Sequence, residues 1–201
     1  MGLWRWLSRV GLVLAVVPSV GAEEQWSLAK DEGGIRVYLS SVPGSSYKAY
    51  RGVTTIRADL ATIKALQDDV AGACAWIHEC KAQKLLKREG AQAWTYTQFN
   101  TPWPVLPRDS VVKVTSREGS DGSLRRDLEG VPAFLEKKDD FIRVSKIEGF
   151  WLLQPKAGGE VLVTYQVHAE PGGSVPSWLA NKFVVEAPYY TLFDLRKQAE
   201  R

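Results

Sequence analysis

The chain has 201 residues, of which 45% are hydrophobic and 24% are charged, and its formal net charge is +3 at pH 7. This length suffices for one domain with a substantial core and is too short for two comfortable ones. No internal repeat, low-complexity tract or proline-rich linker interrupts the chain, so a single domain is expected.

Residues 1–22 have the pattern of a secretory signal. Arg5 and Arg9 precede a short apolar run, and Val20-Gly21-Ala22 is a small-residue cleavage site. The run is shorter than the roughly 20 residues that span a bilayer, which disfavours the alternative of an uncleaved anchor. The leader carries two arginines and no acidic residue, so cleavage lowers the formal charge from +3 to +1 and a nucleic-acid partner is not expected. The predicted mature domain is 23–201, periplasmic or secreted.

The segment after the leader predicts a helix followed by a hairpin. We expect a short helix over residues 24–31, which contains Trp26 and ends at Gly33-Gly34. Alternating patterns then predict strands at 35–42 and 47–57, joined by a Pro-Gly-Ser-Ser turn.

A second helix and a series of strands follow. Asp59 is the predicted N-cap of a helix that continues to Val70. The later pattern predicts strands at 82–88, 93–101, 110–117, 123–129, 141–154 and 160–169. Their short connections require antiparallel neighbours. The predicted fold class is α+β, with helices on one side of a curved antiparallel sheet.

The last segment predicts a helix that is apolar almost all the way round and reaches nearly to Arg201. Its apolar residues are Trp178, Phe183, Val184, Val185, Ala187, Tyr190, Leu192 and Leu195. Such a helix needs apolar neighbours on several sides, and a sheet wrapped around it would supply them. Any gap between sheet and helix would be an apolar pocket. Pro188 should kink the helix or divide it in two.

Cys74 and Cys80 lie six positions apart within the predicted mature domain. In an exported protein a disulfide is the leading interpretation, and two buried free thiols are the alternative. The bond requires the segment to turn, because a straight helix would separate the two positions too far. A metal site at His78 is not expected, since the other histidine, His168, lies in a distant strand.

Several motifs, in order along the chain, resemble those of the START family of lipid-transfer domains. They are Gly33-Gly34-Ile35-Arg36-Val37-Tyr38, Lys48-Ala49-Tyr50-Arg51-Gly52, Pro102-Trp103-Pro104 with Arg108-Asp109, Gly149-Phe150-Trp151-Leu152-Leu153-Gln154-Pro155, Thr164-Tyr165-Gln166, and Pro171-Gly172-Gly173 with Pro176, Trp178, Leu179 and Asn181. The resemblance covers nearly all of the predicted mature chain. Its specificity lies in the order of many weak motifs.

The resemblance implies a helix-grip fold, in which a curved antiparallel sheet holds a long C-terminal helix over a tunnel for one lipid. The implied ligand is a sterol, a phospholipid or a fatty acid, and no cofactor or metal is expected. We expect a monomer that contacts membranes transiently to transfer or sense lipid. Gly172-Gly173 is the predicted hinge of a helical lid, and Trp178 and Asn181 are its predicted anchors.

Predicted tunnel walls are the aromatic and aliphatic residues Tyr96, Phe99, Trp103, Trp151, Leu153, Tyr165, Val167, Phe183 and Tyr190, for each of which ordinary core packing is the alternative. Arg126 and Arg143 share strand faces with apolar residues. Each is therefore a candidate to hold a phosphate or carboxylate inside the tunnel, with a solvated outer face as the alternative. Arg108 and Asp109 are predicted to form a structural ion pair.

Two other functional classes stay open from the sequence. The chain contains neither a Gly-x-Ser-x-Gly elbow nor a His-Glu-x-x-His motif, so an enzyme is not expected. A cyclase or hydrolase on the same scaffold is the alternative, with Glu148, Tyr165 and His168 as the residues to examine. The third class is an interaction module without cargo, which predicts a cavity well below the roughly 300 Å³ of ordinary ligand sites.

Overall fold

A computed structural model describes residues 25–101, 105–175 and 177–201. In these residues ten strands form one sheet: β1 Ser27–Glu32, β2 Ile35–Ser40, β3 Ala49–Ile56, β4 Cys80–Glu89, β5 Gln92–Phe99, β6 Arg108–Glu118, β7 Leu124–Gly130, β8 Ile142–Arg143, β9 Lys146–Lys156 and β10 Glu160–Glu170. The helices are α1 Leu60–Asp68 and α2 Ser177–Ala199, with one 3₁₀ turn at Ala73–Ala75. The predicted leader, residues 1–22, lies outside the described residues.

The strands form a curved antiparallel sheet, and α2 closes its concave side. Their spatial order is β1-β2-β3-β10-β9-β7-β6-β5-β4, and the short β8 pairs in parallel with β6 outside this path. Three tight connections, β4–β5, β6–β7 and β9–β10, join sheet neighbours as their turn signals predict. The α+β helix-grip prediction is confirmed.

The segment predicted to be the first helix is instead the edge strand β1. It pairs antiparallel with β2, and Glu32 lies opposite Ile35 across Gly33-Gly34. Both glycines have positive φ, 56° and 75°, which is the conformation of a two-residue hairpin turn. The glycine pair that predicts the end of a helix is the turn of a hairpin.

The single strand predicted over 141–154 is two strands. Ile142 pairs with Arg108 of β6, and the chain then changes partner, since Val144 N donates to Asp109 O whereas Ser145 N donates to Glu170 O of β10. The break arises because the chain leaves β6 for β10, and these two strands are not neighbours in the sheet. Hydrophobic alternation alone does not reveal such an exchange.

Helix α1 begins as predicted and ends slightly earlier than predicted. The Asp59 carboxylate accepts a hydrogen bond from Thr62 N at 2.7 Å, which satisfies a free donor of the first turn. The last helical residue is Asp68 rather than Val70. Asp68 therefore lies at the end of α1 that approaches the 3₁₀ turn.

Helix α2 packs against β2, β3 and α1, and its inner face completes the main core. Leu192 and Leu195 are fully buried there together with Ile35, Val163 and Leu153. The helix is continuous through Pro188, which therefore does not divide it in two.

A glycine permits the close approach of α2 to the sheet. A Cβ on Gly52 of β3 would lie 2.6 Å from Leu192 Cδ1 and 3.2 Å from Pro188 Cβ, so any larger residue would collide with the helix. No helix in the described residues is long and apolar enough to cross a membrane.

Candidate functional site

A cavity of about 360 Å³ lies between the concave face of the sheet and α2. The helix contributes Ala180, Phe183, Val184 and Ala187 to its wall, and the 3₁₀ turn contributes Trp76. Ligand cavities in proteins have volumes of roughly 300–1,000 Å³. The space is thus large enough for a small apolar molecule and lies at the lower end of that range.

The predicted wall residues divide into two groups. Those that line the cavity are Phe99, Arg126, Trp151, Tyr165, Val167 and Phe183. Tyr96, Arg143, Leu153 and Tyr190 lie elsewhere. Trp103 and the side chains of Trp178 and Asn181 fall outside what the structure describes.

Each hydrophobic residue that was expected in the wall but does not line this cavity has another structural position. Tyr96 is buried and donates its hydroxyl to Asp109 Oδ2 at 3.0 Å. Leu153 is fully buried in the main core. Tyr190 is 39% exposed, and its ring stacks on His78 with centroids 5.0 Å apart. These three side chains pack against other protein groups, and the sequence pattern cannot distinguish such packing from ligand contact.

The sheet side of the cavity carries a connected aromatic cluster. The rings of Trp151 and Tyr165 stack with centroids 3.9 Å apart, and Trp76 meets Trp151 edge-on at 6.0 Å. The hydroxyls of Tyr50 and Tyr165 are 3.0 Å apart and hydrogen-bonded. Burial raises the pKa of Tyr50 and of Tyr165, so both phenols are neutral at physiological pH. The cluster is a rigid, uncharged surface.

Arg143 forms a buried structural ion pair rather than a ligand clamp. Its Nε donates to Asp109 Oδ1 at 2.7 Å, and its Nη2 donates to Asp109 Oδ2 at 3.1 Å. The remaining guanidinium hydrogen bonds go to the carbonyls of Pro132, Leu135 and Glu136. All five N–H donors of the side chain are therefore used, and Arg143 does not line the cavity.

The predicted pair of Arg108 with Asp109 does not form, because adjacent strand residues point to opposite faces of the sheet. Arg108 is buried and lines the cavity instead. Its guanidinium donates to Leu106 O at 2.6 Å and to Gly172 O at 3.3 Å. Burial lowers the pKa of Arg108 from its usual high value, which leaves the group charged at neutral pH. Arg108 thus connects the loop before β6 to the predicted hinge.

Arg126 lies at the opposite end of the cavity from Arg108. Only 6% of the residue is exposed, and its Nη2 is 2.9 Å from Asp68 Oδ1 at the end of α1. Burial raises the pKa of Asp68, but the Lys64 ammonium and the Arg126 guanidinium outweigh that effect, so the pKa is lowered and Asp68 is ionised at neutral pH. Arg126 shares the inner face of β7 with Leu124 and Leu128, whereas the sequence left a solvated outer face open as the alternative.

The predicted disulfide joins Cys74 to Cys80, whose Cα atoms are 4.9 Å apart. The segment turns through the 3₁₀ turn as the bond requires. Trp76, Ile77 and His78 lie inside this closed loop and line the cavity. The bond therefore fixes one end of the cavity wall.

The three residues considered for catalysis are not brought together. Tyr165 lines the cavity, whereas His168, three positions along β10, is buried outside it. The Glu148 side chain is 65% exposed and pairs with Lys146 Nζ at 3.2 Å. Strand alternation separates these groups on the two faces of the sheet.

Several residues of the site are not predicted from the sequence, chiefly Gln67, Trp76 and Arg108. Gln67 and Trp76 come from α1 and from the 3₁₀ turn, elements that carry no cavity signal of their own. The Arg108 side chain was assigned to an adjacent carboxylate, although strand geometry directs the two side chains apart.

The sequence matches the START domain family over residues 20–190. It is 54% identical to an uncharacterized protein of Pseudomonas aeruginosa, with 98% of this chain and 99% of that protein covered. A crystal structure of the STAR-related lipid transfer protein from Xanthomonas axonopodis is 39% identical, with 88% of this chain and 99% of that chain covered and a TM-score of 0.82. The chain belongs to the START domain family.

More distant solved structures show that the fold extends across kingdoms and activities. Human StAR-related lipid transfer protein 5 superposes with a TM-score of 0.79 at 15% identity, with 87% of this chain and 86% of that chain covered. An aromatase/cyclase of a Streptomyces species, Zhui, has a TM-score of 0.52 at 12% identity, with 76% and 93% covered. The fold therefore occurs in lipid-transfer proteins and in a cyclase, and function has to be argued from the cavity.

Proposed function

We propose that this chain binds one lipid molecule in the cavity under α2 and carries or senses it outside the cytoplasm. The observation that carries the proposal is the apolar cavity itself, which lies between the aromatic cluster on the sheet and the inner face of α2. Each Å² of apolar ligand surface removed from water contributes about 25 cal/mol, so an acyl chain alone supplies ample driving force. The name of the Xanthomonas structure, a lipid transfer protein, supports the same ligand class.

The cavity volume favours a ligand with one apolar body. About 360 Å³ exceeds the roughly 300 Å³ below which a cargo-free module was expected, yet it lies far from the upper end of ligand sites. A single acyl chain or a sterol-sized molecule suits this volume better than a phospholipid with two chains. We include no second chain in the proposal for that reason.

Movement of α2 would widen access to the cavity, because the helix forms one of its walls. Gly172-Gly173 precedes α2 and is the proposed hinge, since paired glycines relax the limits on backbone rotation. Arg108 donates to Gly172 O and would hold the hinge in the closed position. Lid opening at a membrane surface would then deliver or collect the lipid.

Export and a non-catalytic role complete the proposal. The leader pattern of residues 1–22 and the Cys74–Cys80 disulfide are both consistent with an oxidising compartment such as the periplasm. A catalytic role is not proposed, because Glu148 and His168 lie away from the cavity. We propose that the protein acts as a monomer without cofactor.

Filling the cavity tests the proposal directly. Delipidated protein should take up the fluorescent fatty acid cis-parinaric acid or the fluorescent sterol dehydroergosterol with saturation at one ligand per chain. Ala187→Trp places a large ring in the cavity wall and should abolish uptake, whereas Lys197→Trp on the exposed face of α2 should not. Failure of both probes to bind the unaltered protein would reject the proposal.

A further inference from the structure

One end of the cavity concentrates polar groups that have no protein partner. Among the described residues, the buried atoms without a hydrogen bond include Gln67 Oε1 and Nε2, Trp76 Nε1 and Arg126 Nε. All three residues line the cavity. Buried polar groups are hydrogen-bonded in the great majority of cases, so three exceptions in one cavity wall require an explanation.

The three residues lie close together because two structural links join them. Gln67 immediately precedes Asp68, whose carboxylate is 2.9 Å from Arg126 Nη2. Trp151 lies directly opposite Arg126 in the β7–β9 ladder, and the Trp76 ring meets the Trp151 ring edge-on. The carboxyl end of α1, the disulfide loop and β7 therefore bring Gln67, Trp76 and Arg126 to the same end of the cavity.

The hydrogen-bonding capacity of this cluster is biased toward donors. The Arg126 Nε–H and the Trp76 Nε1–H can only donate, and the Gln67 amide brings two further donors with one acceptor. The charges have the same bias, since the Lys64 and Arg126 cations share the single anion Asp68. A ligand group that suits this cluster offers several acceptor oxygens and a negative charge.

We infer that Arg126, Gln67 and Trp76 form a subsite for the carboxylate of a single-chain fatty acid, whose acyl chain would extend toward α2 and the Arg108 end of the cavity. This inference rests on the proposed function and names its ligand class. A carboxylate supplies about four acceptor positions on two oxygens and forms charge-assisted hydrogen bonds with a guanidinium. The cavity volume of about 360 Å³ suits one chain.

The Arg108 end of the cavity is less suitable as a site for the carboxylate. Arg108 is a buried cation, but its guanidinium already donates to the carbonyls of Leu106 and Gly172. None of its atoms is among the buried polar atoms that lack a partner in the described residues. Arg108 is accounted for by the loop and hinge that it joins, whereas the Arg126 cluster has donors to spare.

The test compares ligands that share a chain and differ in the polar group. Laurate, dodecanol and lauroyl lysophosphatidate are titrated calorimetrically into delipidated protein. Laurate should bind at least about tenfold more tightly than dodecanol, the ratio expected when a charged group gains hydrogen bonds. Arg126→Gln should reduce this ratio to near one.

A matched control lies next to the test residue. Arg125 precedes Arg126 on β7 but lies on the outer face, where it pairs with Asp127 and stacks over Phe150. Arg125→Gln should therefore preserve the preference for laurate. If Arg126→Gln does not fold, Trp76→Phe removes the indole donor but keeps an aromatic ring at this position. It should reduce the laurate preference while the pair of Arg126 with Asp68 persists.

Each adverse outcome identifies what has failed. Equal affinities for laurate and dodecanol in the unaltered protein would overturn the carboxylate subsite while leaving lipid binding intact. Loss of the laurate preference in Arg108→Gln but not in Arg126→Gln would place the ligand's carboxylate at the Arg108 end of the cavity. That result would also overturn the inference. Tighter binding of lysophosphatidate than of laurate would replace carboxylate by phosphate. Absence of binding by all three ligands would overturn the fatty-acid inference, and failure of dehydroergosterol to bind the same protein as well would reject the proposed function itself.

Discussion

Replacing Arg143 by methionine should destabilise the protein strongly without reducing its affinity for lipid. The substitution removes five guanidinium hydrogen bonds and leaves the fully buried Asp109 without its cation. Breaking one partner of a buried ion pair costs about 3–5 kcal/mol, because the other charge stays in a medium of low dielectric constant. Against a total stability of roughly 5–15 kcal/mol, this is a large fraction.

The assay is urea denaturation followed by tryptophan fluorescence, together with thermal unfolding. For a domain of this size, about 2–4 °C of melting temperature is lost per kcal/mol, so Arg143→Met should lower Tm by roughly 6–20 °C. Adding Asp109→Leu should recover part of the loss, because the uncompensated charge is then gone. Lipid affinity measured below the transition should be unchanged.

The reasoning would be refuted in either of two ways. A stability loss below about 1 kcal/mol would mean that the pair is not the buried network described above. Normal stability with loss of lipid binding would mean that Arg143 acts on the ligand, as the sequence alone allowed.

Three further changes test other parts of the structure. Gly52→Ala should lower the free energy of urea unfolding by about 1–3 kcal/mol, because its Cβ would lie 2.6 Å from Leu192 Cδ1. If the two residues are in contact, the double variant with Leu192→Ala should lose less stability than the two single variants lose in sum. Replacing Cys74 and Cys80 by alanine should cost about 2 kcal/mol for so short a loop; an unchanged urea midpoint would contradict the role given to the bond. The lowered pKa of Asp68 contributes stability that is present above its unfolded value of 3.8 and is lost as pH falls through the lower folded value. Asp68→Asn should therefore lower Tm at pH 7 and have little effect in strong acid; a Tm difference that did not depend on pH would exclude this linkage.

Much of the architecture could be predicted because it is encoded locally. The Asp59 cap, the alternation of β7 and the turns between β4 and β5, β6 and β7, and β9 and β10 each depend on a few adjacent residues. The gripped helix could also be anticipated, since α2 has too many apolar positions for a surface helix. The Cys74–Cys80 bond was the leading interpretation because the chain is predicted to be exported, with two free thiols as the alternative.

What could not be predicted depends on partners that are distant in sequence. The edge strand β1 has mixed local propensity and becomes a strand by pairing with β2. Asp109 has an arginine beside it in sequence but pairs with Arg143, 34 positions away. Gln67 enters the site because α1 ends near β7, and no pattern within α1 carries that information.

Native mass spectrometry of the protein purified without detergent from its own cells tests the central claim most directly. We predict a mass increase that corresponds to one lipid molecule per chain and disappears in Ala187→Trp. Fragmentation of the released ligand should identify a long-chain carboxylic acid. A chain that carries no lipid, and that also fails to acquire one on incubation with host membrane extract, would contradict the account.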